Sequence, residues 1–76
     1  MPTVLRYKAF EFRIYTNDHI PPHVHVHHGS GKSRIEIAGA VVMDSAGMRA
    51  ADLAAARLVV KSQEAYLLKR WEEIHR

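Results

Sequence analysis

The chain has no cysteine, which excludes a disulfide framework and any thiolate metal site. Imidazole and carboxylate are then the only strong metal ligands on offer. No apolar run approaches the ~18–20 residues that span a bilayer, and the first residues lack the basic-then-apolar order of a signal peptide. The sequence therefore reads as a soluble, cytoplasmic protein with no membrane contact. No run of like charge is long enough for a nucleic-acid arm, although a formal net charge of +3 and a pI near 9.6 favour acidic partners. Glycine and proline are scarce and absent between residues 50 and 75, so a long helix is open there.

What remains is ordinary for a globular protein: 47% hydrophobic and 25% charged residues rule out a disordered composition. At 76 residues, residues 1–76 form one domain with a modest stability margin, which a second chain covering part of the surface would raise.

Two runs rich in β-branched and aromatic residues, Thr3 to Tyr7 and Phe10 to Tyr15, predict a hairpin around Lys8-Ala9. In that register Tyr7 faces Phe10, Leu5 faces Phe12, Thr3 faces Ile14 and Arg6 meets Glu11. Lys-Ala suits a type I′ turn poorly, which leaves room for a longer loop. The link Asn17-Asp18-His19-Ile20-Pro21-Pro22 is turn-forming, and its two prolines stiffen the approach to residue 23.

Four of the six histidines fall within residues 21 to 29, Pro-Pro-His-Val-His-Val-His-His-Gly. An extended backbone sends Val24 and Val26 to one face and His23, His25 and His27 to the other. A return strand over Ser33 to Ile37, after a loop Gly29-Ser30-Gly31-Lys32, pairs His28 with Ser33, His27 with Arg34, Val26 with Ile35, His25 with Glu36 and Val24 with Ile37. Val41-Val42-Met43 reads as a short edge strand, and Asp44 to Gly47 as a turn. Leu53, Val60, Leu67 and Ile74 then recur every seven residues, with Ala56 and Trp71 between them, as one helical stripe. A single helix of this length outreaches the sheet, so it either breaks near Ser62-Gln63 or projects towards a partner. The expected fold is α+β: a small, mainly antiparallel sheet of two β-hairpins covered by a long C-terminal helix or two shorter ones, with Trp71 buried.

Three readings of the histidine row stand side by side. It is the polar outer face that any half-buried strand requires. It is a metal site in which His23, His25 and His27, with Glu36 or His19, hold zinc or nickel; His75 lies far off, at the end of the helix. Or it is an acid–base surface acting on RNA, with His23, His25 and Glu36 catalytic and Arg13 and Arg34 holding phosphate. The alternation of His with apolar residues resembles the histidine-triad nucleotide hydrolases. The likeness is local, because His28 and Gly29 stand where that motif has two apolar residues.

A wider resemblance rests on Met1-Pro2-Thr3-Val4-Leu5-Arg6, on Tyr15-Thr16-Asn17-Asp18-His19 leading into Pro21-Pro22-His23-Val24-His25-Val26, and on Gly47-Met48 before a helix with Leu53 and Trp71. With these the chain resembles the bacterial domain-of-unknown-function family 4160. Its members are small proteins often encoded beside another small gene, in pairs that look like toxin–antitoxin modules. The resemblance implies a protein partner from a neighbouring gene, while RNA or DNA as a further ligand rests on the chemistry of the histidine face. It covers His23 and His25 but not His27 and His28. Arg49-Ala50-Ala51-Asp52 departs from the usual helix start of the family. A non-enzymatic module, docking a partner or forming a homodimer through the C-terminal helix, is the alternative.

Overall fold

The alternation of valine and histidine between residues 23 and 28 is realised as a strand at the centre of a five-stranded sheet. The computed structural model describes residues 3–76; Met1 and Pro2, the start of the opening hexapeptide, lie outside the described residues. The strands are β1 (Thr3–Tyr7), β2 (Phe10–Arg13), β3 (His23–His28), β4 (Gly31–Glu36) and β5 (Val41–Ala46). They pair antiparallel in chain order, so the sheet is a meander with β1 and β5 at its edges. Helices α1 (Ala50–Ser62) and α2 (Glu64–Ile74) follow. The fold is thus α+β as expected, with five strands where two hairpins supply four. The fifth is the edge strand read at Val41-Val42-Met43, and it is longer than expected because Asp44, Ser45 and Ala46, read as a turn, continue it and pair with β4.

The first hairpin has the expected two-residue loop, and Lys8 takes the left-handed conformation there (φ 54°). Tyr7–Phe10, Arg6–Glu11 and Leu5–Phe12 face each other as expected, but Thr3 meets Arg13 and not Ile14. A bulge at Val4 causes the shift. It turns that β-branched side chain into the core, where it is 8% exposed.

The second hairpin is offset by two residues from the expected register: His28 faces Gly31, His27 Lys32, Val26 Ser33, His25 Arg34, Val24 Ile35 and His23 Glu36. The loop is Gly29-Ser30 alone, with Gly29 at φ 59°, as two-residue hairpins with glycine in first place prefer. Gly31 belongs to the strand because its backbone packs on the Gly47-Met48 corner, where an added Cβ would lie 2.6 Å from the Gly47 carbonyl oxygen. A slip of two keeps side-chain parity, so Val24, Val26, Ile35 and Ile37 still face the core.

Both helices lie on that apolar face. Ala56, Val60 and Leu67 are fully buried, Trp71 is 7% exposed, and Leu53 and Ile74 are partly buried against them. Full burial of a valine or leucine side chain such as Val60 or Leu67 contributes about 1.5–3 kcal/mol. The helix breaks at Gln63 (φ −110°, ψ 20°), one of the two outcomes the stripe allowed, which lets α2 follow the sheet and not overshoot it. The Tyr66 hydroxyl donates to the Val4 carbonyl (2.8 Å) and Arg57 Nε to that of Ala40 (2.9 Å), tying the helices to both ends of the sheet. No described helix is long and apolar enough to cross a membrane.

Candidate functional site

The loop between β2 and β3 returns beside the start of the histidine strand, and the turn chemistry of Asp18 decides what meets there. Its backbone N–H donates to the Tyr15 carbonyl (3.1 Å), and its Oδ2 accepts from the Tyr15 N–H (2.9 Å). The carboxylate is thereby held with Oδ1 pointing at the imidazoles. Oδ1 lies 3.0 Å from His25 Nε2 and 3.7 Å from His23 Nε2. The two rings are 5.1 Å apart, and Tyr15 meets the His25 ring edge-on at 4.7 Å. Burial works to raise the Asp18 carboxyl, but the Tyr15 amide and the two histidines outweigh it and hold the group below its usual value. Asp18 is therefore an anion at neutral pH.

His23 is 4% exposed, because the end of α2 closes over it. Its ring lies 5.5 Å from Trp71, whose other neighbour is His75, stacked at 3.8 Å. His75, expected far from the histidine row, is thus one ring removed from it, because the break at Gln63 brings α2 back to that end of the sheet. His23 Nδ1 donates to the Pro21 carbonyl (2.9 Å). That bond fixes the tautomer of the neutral ring, with the lone pair on Nε2.

On the sheet face away from the helices, Tyr15, His25, His27, Lys32, Arg34 and Asp44 line a groove of about 500 Å³. Arg34 Nε donates to Asp44 (2.8 Å), which holds that carboxyl below its ordinary value. Arg13 binds Glu11 and the Tyr15 hydroxyl (3.3 Å), and Arg6 reaches Glu11 from the other side (3.1 Å). Burial, aided by the Arg13 charge, lowers the His27 ring below the usual imidazole value, against a smaller pull from Glu11. His27 is accordingly neutral at pH 7.

Among the expected site residues, the structure brings His23 and His25 together. His27 stands two residues further along the same face. Glu36, expected opposite His25, faces His23 because of the register offset, and Arg34 takes its place beside His25. His19 is exposed in the loop and lies outside the group of ligating atoms. Arg13 and Arg34 flank His25 on the neighbouring strands, each engaged by a carboxylate. Sequence reasoning missed Asp18 and Asp44, both taken as turn formers. The available signal for Asp18 was its place in a short link joining adjacent antiparallel strands, which must bring it back beside the first residues of β3.

The model of the family described as a domain of unknown function, DUF4160, matches residues 9–72. No curated protein and no solved structure matches the chain. The matched span leaves out the opening hexapeptide but holds the Asp18 loop, the Pro-Pro-His-Val-His strand, the Gly47-Met48 corner and Trp71. Since that is the sheet from β2 onward together with nearly all of both helices, the chain belongs to the DUF4160 family.

Proposed function

We propose that the groove beside β3 contacts RNA and acts on its phosphodiester, and that the protein works as one member of a toxin–antitoxin-like pair with a small neighbour-encoded protein. The observation that carries the chemical part is the 3.0 Å contact between Asp18 Oδ1 and His25 Nε2 on the wall of the groove. A carboxylate accepting from Nε2–H leaves the lone pair on Nδ1, so His25 is oriented as a general base by an anion that also stabilises the imidazolium formed when it takes a proton. His27, neutral and about 6.6–6.8 Å further along the strand, is a second acid–base group within a phosphate's span. Lys32 and Arg34 line the same groove, and Lys32 has no carboxylate partner within salt-bridge distance among the described residues. Arg34 and Arg13 would exchange Asp44 and Glu11 for phosphate oxygens. His23, buried, acts through Asp18 as a positioning residue. The pairing with a neighbour-encoded protein rests on the family resemblance alone.

The test is cleavage of short single-stranded RNA by purified protein at low salt. His25→Ala, checked for folding by circular dichroism, should abolish cleavage, and Lys32→Ala should weaken binding. Wild-type protein that neither binds nor cleaves RNA would overturn the reading, as would a His25→Ala protein of unchanged activity.

A second reading is favoured by one observation. Between β1 and α1, Leu5, Tyr7, Ala55, Leu58 and Val59 line an apolar groove of about 510 Å³, with Leu58 68% and Tyr7 45% exposed. Such a surface suits a binding module that docks the neighbour-encoded protein or a second copy through the helices. Leu58→Glu separates the two: it abolishes the cellular effect in the binding reading and leaves it intact in the catalytic one.

A further inference from the structure

From the geometry at the start of β3, we infer that Asp18, His23 and His25 form a binding site for a divalent transition-metal ion. This goes beyond the RNA reading and stands without it. Their ligating atoms all lie within 4.8 Å of one another, and theirs is the one such group of three among the described residues.

Proximity alone would be weak, but the hydrogen bonds around the group prepare it. A carbonyl oxygen only accepts, so the 2.9 Å contact from His23 Nδ1 to Pro21 places the proton on Nδ1. The Nε2 lone pair then faces an oxygen of the Asp18 carboxylate at 3.7 Å. Two electron-rich atoms converging on a spot where His23 is 4% exposed are stabilised by a cation between them. The outer bonds match those of built metal sites: the imidazole gives its other N–H to a backbone carbonyl, and the second carboxylate oxygen accepts from the Tyr15 amide, so the ligating oxygen is Oδ1, which accepts from His25 Nε2–H when no ion is bound.

Ligand type sets the metal class. Two imidazoles and one carboxylate, with no thiolate in the chain, suit zinc, nickel or cobalt(II), whereas magnesium and calcium prefer all-oxygen shells. Metal–ligand bonds of about 2.0–2.2 Å put neighbouring ligand atoms about 3.3 Å apart; Asp18 Oδ1 is already 3.0 and 3.7 Å from the two Nε2 atoms, so the closing, by up to about 1.5 Å, falls on the two imidazoles, whose ligating atoms lie within 4.8 Å. Three protein ligands leave a position for water. His25 Nε2 cannot coordinate an ion while donating to Asp18, so an occupied site removes the orientation that makes His25 a base.

The experiment is calorimetric titration of metal-free protein with zinc, nickel and magnesium chlorides, together with the visible spectrum of the cobalt(II) adduct. Zinc and nickel should bind one to one and magnesium should not, and cobalt(II) should show the absorption of a nitrogen- and oxygen-ligated ion. His25→Ala and Asp18→Asn should each lower zinc affinity by about tenfold or more, as loss even of a ligand's support does. His27→Ala and His19→Ala should leave it unchanged. Because His23 is buried, His23→Ala risks unfolding, and the more exposed His25 carries the test, with circular dichroism confirming the fold. No zinc binding by the wild type would overturn the inference, as would binding that survives His25→Ala but is lost in His27→Ala. RNA cleavage enters none of these readouts, so a failed cleavage assay leaves the metal site standing.

Discussion

Replacing Trp71 by alanine should cost this protein most of its stability. The indole is 7% exposed and touches both the core and two histidine rings: His75 stacks on it at 3.8 Å, and His23 lies at 5.5 Å. Truncating a buried tryptophan to alanine costs about 3–5 kcal/mol. At about 0.05–0.15 kcal/mol per residue, 76 residues hold about 4–11 kcal/mol in total. With about 4–8 °C lost per kcal/mol in a domain of this size, the variant should melt at least ~12 °C lower. Urea and thermal unfolding followed by circular dichroism measure this, since the variant has no tryptophan left to fluoresce. Wild-type emission should be blue-shifted at every protein concentration. A loss of about 0.5 kcal/mol or less, the range of surface substitutions, would refute the placement of α2 over His23. Emission that shifts red on dilution would mean that a second chain covers the indole.

Other consequences follow from the backbone and from charge. Gly31→Ala should destabilise by about 1–3 kcal/mol in urea titrations, because its Cβ meets the Gly47 backbone at 2.6 Å, whereas Gly29→Ala meets open space and pays only for its positive φ. Asp18→Asn tests the loop carboxylate. A group held below its unfolded value contributes stability that is fully present above that value, about 3.9, and is lost as the pH falls through the lower folded one. The stability gap between wild type and Asp18→Asn should therefore be widest near neutrality and shrink below about pH 4. A gap that stays constant into strong acid would contradict the depressed carboxyl.

The elements that could be read from the sequence are those set by short-range periodicity. Val24 and Val26 against His25 and His27 gave the faces of β3 correctly, because strand alternation survives any even slip of register, whereas His23, expected on the open face with them, is covered by Trp71. The stripe through Ala56, Val60, Leu67 and Trp71 gave the covering face of the helices in the same way. What periodicity does not encode is distance between elements. Gly31 looks like a loop residue until the Gly47-Met48 corner is packed on it, so the hairpin was placed two residues out and Glu36 was assigned to the wrong histidine. Asp18 looks like a turn former, which it is. Its second task, holding His25, depends on where the β2–β3 link lands. The return of His75 to the histidine row depends likewise on the direction α2 takes after Gln63.

The central claim is that Asp18, and not Glu36, organises the histidines at the start of β3. Imidazole ¹H–¹⁵N correlation spectra of metal-free protein at mildly alkaline pH test it most directly, since they report which ring nitrogen carries the proton. The account predicts His25 protonated on Nε2 and His23 on Nδ1. It predicts that Asp18→Asn shifts the signals of both rings, while Glu36→Gln leaves His25 as it is. Spectra in which Glu36→Gln moves His25 and Asp18→Asn moves neither ring would contradict it.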